Sequence, residues 1–161
     1  MTSEIHLVRE YPHPRRKVWR ALTDPALMAL WGMRPEGFAP IVGTRFKLVG
    51  KSNPAWRGYV DCEVTDVREL ESLAYSWLDD HGAKTLAVRY TLSDSPRGTR
   101  LTVEHTGFAG VRGLLFSKLV MGPGWKKLLR DQFPGVLSDL LGDGTLRAES
   151  TLKPMFPAKE D

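Results

Sequence analysis

Few side chains in this 161-residue sequence combine a chemically useful group with an inward-facing position. His105 alternates with Leu101 and Val103, Tyr90 with Val88 and Leu92, and Tyr75 with Leu73 and Trp77, which sets all three on the apolar side of extended segments. An imidazole beside tyrosine hydroxyls can be tuned toward acid–base work. A lone inward histidine is equally the ordinary form of a hydrogen-bonded core residue. No second group stands at a fixed local spacing to complete a dyad, so His105 and Tyr90 are weak catalytic candidates only. Arg89 alternates to the opposite, outer side and is assigned no chemistry. Cys62, the single cysteine, alternates with Val60 and Val64 and is predicted to be a small buried hydrophobe, not a reactive thiol. One cysteine excludes an intramolecular disulfide and a cysteine-rich zinc site. His6, His13, His81 and His105 lie far apart, without metal-binding spacing. The expectation is therefore no metal and no cofactor.

Composition narrows the class further. Hydrophobic residues make up 42% and charged residues 26%, an ordinary globular balance at a length that suits one domain. The N-terminus lacks an apolar signal core, and no run approaches the roughly 18 apolar residues that cross a bilayer. A cytoplasmic protein without membrane insertion is expected. The net charge of +4 comes from lysines and arginines interspersed with 19 acidic residues. The small clusters Arg15, Arg16, Lys17, Arg20 and Lys126, Lys127, Arg130 lack neighbouring aromatic stacking positions, so nucleic-acid binding is not expected.

The elements that must position these residues follow from periodicity. Residues 4–11 form a predicted strand ended by Pro12; Pro14 opens a helix to Leu22, and Asp24-Pro25 opens a second to Trp31. The Gly- and Pro-rich stretch Gly32–Gly43 is a connection. Strands are predicted at 44–49, 59–68, 73–78, 84–93 and 99–106. The polar links between them, including Asp79-Asp80-His81-Gly82, are short enough to demand antiparallel neighbours. From Trp125, the residues Leu128, Leu129, Phe133, Val136, Leu137, Leu140 and Leu141 repeat at helical spacing, with Pro134 predicting a kink and Gly142 an end. Phe108–Met121 is apolar but aperiodic. It is either a lid whose Leu114, Leu115 and Phe116 touch a ligand or partner, or a short helix covering the core. Residues 1–145 thus make one domain, and 146–161 an irregular or mobile tail.

The helical stripe and the apolar sheet face most simply bury each other. This gives an α+β fold in which about six curved antiparallel strands wrap a long C-terminal helix, with two short helices after the first strand. The concave side then holds Phe46, Cys62, Tyr75, Trp77, Tyr90, Val103, His105, Trp125, Leu129 and Phe133. These residues either fill a solid core or leave a small-molecule pocket.

Lys17–Gly32, KVWRALTDPALMALWG, resembles the opening signature of the START-like (SRPBCC) superfamily, in the branch related to the activator of a heat-shock chaperone ATPase. Val18, Trp19, Thr23, Asp24, Pro25 and Trp31 carry its pattern. Gly43 with Phe46, Tyr75-Ser76-Trp77, Gly98-Thr99-Arg100-Leu101-Thr102, His105-Thr106-Gly107-Phe108 and Gly124-Trp125 are similar to its later blocks, in order, over residues 4–141. Gly32 stands where a second tryptophan often follows, Gly43 where a glycine pair is common, and Pro134 is unusual in the last helix. The resemblance implies the helix-grip fold with a deep hydrophobic cavity, and it adds Phe108 to the expected ligand-contacting set. It implies a module that binds a small hydrophobic molecule, a lipid or an aromatic metabolite. The alternatives are a polyketide cyclase-like enzyme using the same cavity, or an interaction domain like the chaperone-ATPase activator. The partner expected besides the ligand is a chaperone or a second copy of the chain.

Overall fold

The computed structural model of the chain describes residues 2–78 and 86–158. Strand β1 (Thr2–Tyr11) is followed by helices α1 (Arg15–Thr23) and α2 (Pro25–Trp31); Asp24 caps α2 by accepting the Ala26 backbone N–H at 3.0 Å. Then come β2 (Arg34–Glu36), β3 (Arg45–Val49), β4 (Tyr59–Arg68), β5 (Ser72–Leu78), β6 (Leu86–Ser95) and β7 (Gly98–Ala109). They form one curved antiparallel sheet in the order β1-β7-β6-β5-β4-β3-β2. The sheet thus has seven strands where six were expected. The extra one, β2, is a three-residue edge strand containing Pro35; it is too short to show alternation, and an edge tolerates the missing donor. The predicted link 79–82 and the start of the strand predicted at 84–93 lie outside the described residues.

Register brings the inward residues into rows. Ile5, His105, Val88, Tyr75 and Val64 lie side by side across five strands, and Val103, Tyr90 and Leu73 make the next row. A bulge in β7 alters the simple alternation: Ser3 pairs with Phe108 but Glu4 pairs with Thr106, which leaves Gly107 as the extra residue, at φ +99°. Both His105 and Phe108 therefore face the core, with ring centroids 4.8 Å apart.

Helix α3 is continuous through residues 110–138, so the segment Phe108–Met121 is neither a separate lid nor a separate short helix beyond the end of β7. It is not uniform. At Ser117–Met121 and Leu128–Gln132 the turns widen to i→i+5 bonds, from the N–H of Gly122 to Ser117 and from that of Phe133 to Leu128. Each wide turn immediately precedes a residue pair ending in proline, Pro123 or Pro134, whose ring would crowd an ordinary helical carbonyl. The kink expected at Pro134 is absorbed this way. The inner residues Ser117, Met121, Trp125, Leu129, Phe133 and Leu137 recur every four positions. Five such steps on a regular helix would drift by about 200°, and two inserted residues of about 100° each cancel that drift.

The helix ends at Ser138, short of the predicted Leu141, because Asp139 leaves helical geometry. The segment beyond is irregular and tied down. Asp139 accepts from Arg147 at 2.9 Å and Ser150 at 2.6 Å, the Met155 N–H bonds Ala29 at 3.1 Å, and Arg34 donates to the Phe156 carbonyl at 3.0 Å.

Candidate functional site

A cavity of about 180 Å³ lies between the sheet, α2 and α3. The sheet side is Leu48 from β3, Tyr75 and Trp77 from β5, and Tyr90 from β6. The helical side is Met28, Trp31, Gly32 and Met33 at and after α2, with Met121, Gly124, Trp125 and Leu128 on α3. Among the described residues no charged side chain lines it. Gly124 leaves the helix surface low, and Met121 and Trp125 reach the sheet because the wide turn at Ser117–Met121 keeps both on the inner face.

Two residues of this wall carry buried hydroxyls. Tyr75 and Tyr90 sit diagonally on adjacent strands, their oxygens 2.9 Å apart and their rings 5.9 Å apart, edge to face. Burial holds both phenols above their ordinary range, so both stay protonated near neutrality.

His105 lies behind the wall. The Trp125 indole N–H donates to its Nδ1 at 3.1 Å, which assigns the remaining imidazole proton to Nε2; that atom is buried without a partner among the described residues. The rings of Trp77 at 4.9 Å and Phe108 at 4.8 Å pack against it. Burial pushes its pKa down to about 3, which makes it neutral at physiological pH. With Nδ1 engaged by Trp125 and no charge to give, His105 is placed to orient Trp125 and not to exchange protons.

Of the eleven residues expected to contact a ligand, Tyr75, Trp77, Tyr90 and Trp125 line the cavity. Val103, Leu129 and Phe133 are fully packed core, His105 and Phe108 back the wall, and Phe46 and Cys62 line an open groove beside Glu36, Arg45, Lys47 and Asp61. Cys62 is buried, and burial followed by the Asp61 charge raises its thiol, in keeping with the inert reading. Leu114, Leu115 and Phe116 are exposed and do not reach the cavity. Arg89 pairs with Asp66 at 2.9 Å on the outer face. Sequence reasoning left Met28, Trp31, Gly32, Met33, Leu48, Met121, Gly124 and Leu128 out of the ligand set; the methionines, pliable gap-fillers near both helices, were the available signal. Among the described residues no helix is long and apolar enough to cross a membrane.

A family model described as activator of Hsp90 ATPase homolog 1-like protein matches residues 12–138. No curated protein matches the chain. Protein MLL2253 from Mesorhizobium loti is 31% identical and superposes with a TM-score of 0.70, covering 84% of this chain and 97% of that one. CalU16 from Micromonospora echinospora is 25% identical with a TM-score of 0.67, over 84% of this chain and 76% of its own. Protein BH1534 from Bacillus halodurans, also 25% identical, has a TM-score of 0.67 over 85% and 99%. With the helix-grip architecture and a family match across nearly all of its ordered elements, this chain belongs to the activator of Hsp90 ATPase homolog 1-like family, within the START-like superfamily.

Proposed function

We propose that this START-like module binds a small, mostly apolar molecule between the sheet and helix α3. The carrying observation is the cavity of about 180 Å³, walled by methionine, leucine and aromatic side chains. Burial of apolar ligand surface drives such binding, at roughly 25 cal/mol per Å² before the costs of ordering. Its volume supports one of the two expected ligand types over the other. An apolar cavity of roughly 150 Å³ holds benzene, so this one suits a single ring with a short substituent and not a long acyl chain.

The cyclase-like alternative has weaker support. His105 is neutral, backs the wall and has Nδ1 occupied, while both tyrosines resist ionisation. These groups can orient an oxygen; they are poorly matched to removing a proton near neutral pH.

Native mass spectrometry of freshly purified protein, set against a denatured control, tests the proposal. A discrete retained mass of single-ring size is expected, or its uptake when such compounds are added. A chain that neither retains nor accepts any of them overturns the reading.

A further inference from the structure

We infer that the cavity selects uncharged single-ring molecules carrying a hydrogen-bond acceptor, of the aryl ketone or aldehyde class, and that the Tyr75–Tyr90 hydroxyl pair receives the acceptor. This rests on the ligand-binding reading above and names what that site takes.

The argument is a count of protons. Two hydroxyls carry two protons, and their mutual contact at 2.9 Å uses one. The other has no acceptor among the described residues, although both tyrosines are buried, at 2% and 3% exposure, and both line the cavity. Hydroxyl oxygens tolerate a vacant lone pair, whereas a buried proton donor without an acceptor is the rarer and costlier shortfall. A ligand carbonyl supplies the missing acceptor. Among the described residues the two buried atoms without a partner, Ser95 Oγ and His105 Nε2, belong to residues that do not line the cavity.

Charge is excluded by the same wall. Among the described residues no lysine, arginine or histidine borders the cavity, so a carboxylate would lose its hydration and gain no countercharge from them. The cavity volume suits a ligand body of about one ring, and the three aromatic walls Trp31, Trp77 and Trp125 favour a flat one.

Isothermal titration calorimetry with acetophenone, ethylbenzene and benzoate, three single-ring probes of similar size, separates the possibilities. Acetophenone is expected to bind about tenfold or more tightly than ethylbenzene, the cost of leaving a buried donor unpaired, and benzoate weakest. Either single variant, Tyr75→Phe or Tyr90→Phe, keeps one free hydroxyl proton and retains the preference. The double variant is expected to bind acetophenone and ethylbenzene within about twofold of each other, with ethylbenzene affinity kept. Equal affinity for ketone and hydrocarbon in the unmodified protein, or tightest binding of benzoate, overturns this inference and leaves the ligand-binding reading standing. Failure of all three probes to bind overturns both. The three-probe comparison on the unmodified chain decides the matter even if the double variant does not fold.

Discussion

Tyr11 does work that its place at the end of a strand does not announce. In the wide turn at Leu128–Gln132, the Phe133 N–H bonds Leu128, and the next residue, Pro134, has no N–H to offer. The carbonyl of Leu129 is thereby left without a helical partner, and the Tyr11 hydroxyl donates to it at 2.8 Å. Burial raises that phenol, and its ring packs edge-on against Phe133 at 5.2 Å. Tyr11→Phe should keep the ring contact and orphan the carbonyl, lowering stability by about 1–3 kcal/mol in urea unfolding. His105 sets a pH dependence. An imidazole kept neutral by the fold opposes the proton that the unfolded chain would take up, so its contribution is intact above pH 6.5 and is lost as the pH falls from there toward about 3. The slope in that window is about 1.4 kcal/mol per pH unit. His13 is lowered in the same direction, by burial and by Lys17, so the informative quantity is a difference. His105→Phe should flatten the acid limb of the urea midpoint relative to the unmodified protein. Equal limbs would remove His105 as the cause. That His105 faces inward was legible from alternation with Leu101 and Val103. Its bond to Trp125 was not, because the partners lie on separate elements whose relative placement no local pattern encodes.

At the scale of elements, helix α3 shows what a repeat of four residues demands. The stripe from Trp125 onward was readable because it fits ordinary helical spacing closely enough. The stretch before it was not, because its glycines, its proline and its exposed Val111, Leu115 and Leu119 obscure any period. Wide turns have no propensity signature of their own, although each here ends two positions before a proline. If the turn at Ser117–Met121 is one inserted residue, removing it should be tolerated. Deleting Val120 makes the Gly122-to-Ser117 bond an ordinary i→i+4 link, and adding Pro123→Ala removes the ring that then would clash. This combined variant should melt within a few degrees of the parent. Deleting Lys126 instead, from a regular turn, rotates Trp125, Met121 and Ser117 by about 100° off the inner face. Its melting temperature should fall sharply, and equal melting of the two deletions would refute the insertion account. The bulge at Gly107 was equally silent in the sequence, since one glycine after an alternating run also ends strands; yet it decides that Phe108 points inward.

For the whole molecule, fold and cavity were legible to different degrees for a physical reason. Burial is a property of one residue in its own periodic pattern, so Leu73, Val88 and Val103 announce their sides locally. A cavity is a mismatch between two packed surfaces, and which inward residues border it depends on both at once. Tyr75 and Val88 share a row across the sheet, but only Tyr75 meets the gap. The segment after α3 shows the same dependence on distant partners. Asp139 holds it through Ser150 first and Arg147 next, contacts that also keep the carboxyl below the usual carboxylate range. Asp139→Ala should speed trypsin cleavage at Arg147 while leaving the rest of the chain protected; an unchanged digestion pattern would show that Ala29 and Arg34 suffice to hold it.

The two sides of the cavity differ in stiffness. Tyr75, Trp77 and Tyr90 stand on a hydrogen-bonded ladder, whereas Met28, Met33 and Met121 are unbranched side chains on or beside the helices. Selectivity in a homologous ligand series should therefore be lopsided. Moving or deleting the oxygen that meets the tyrosines would carry a steep penalty, while lengthening the substituent that meets the methionines by one carbon would be absorbed by their rotation.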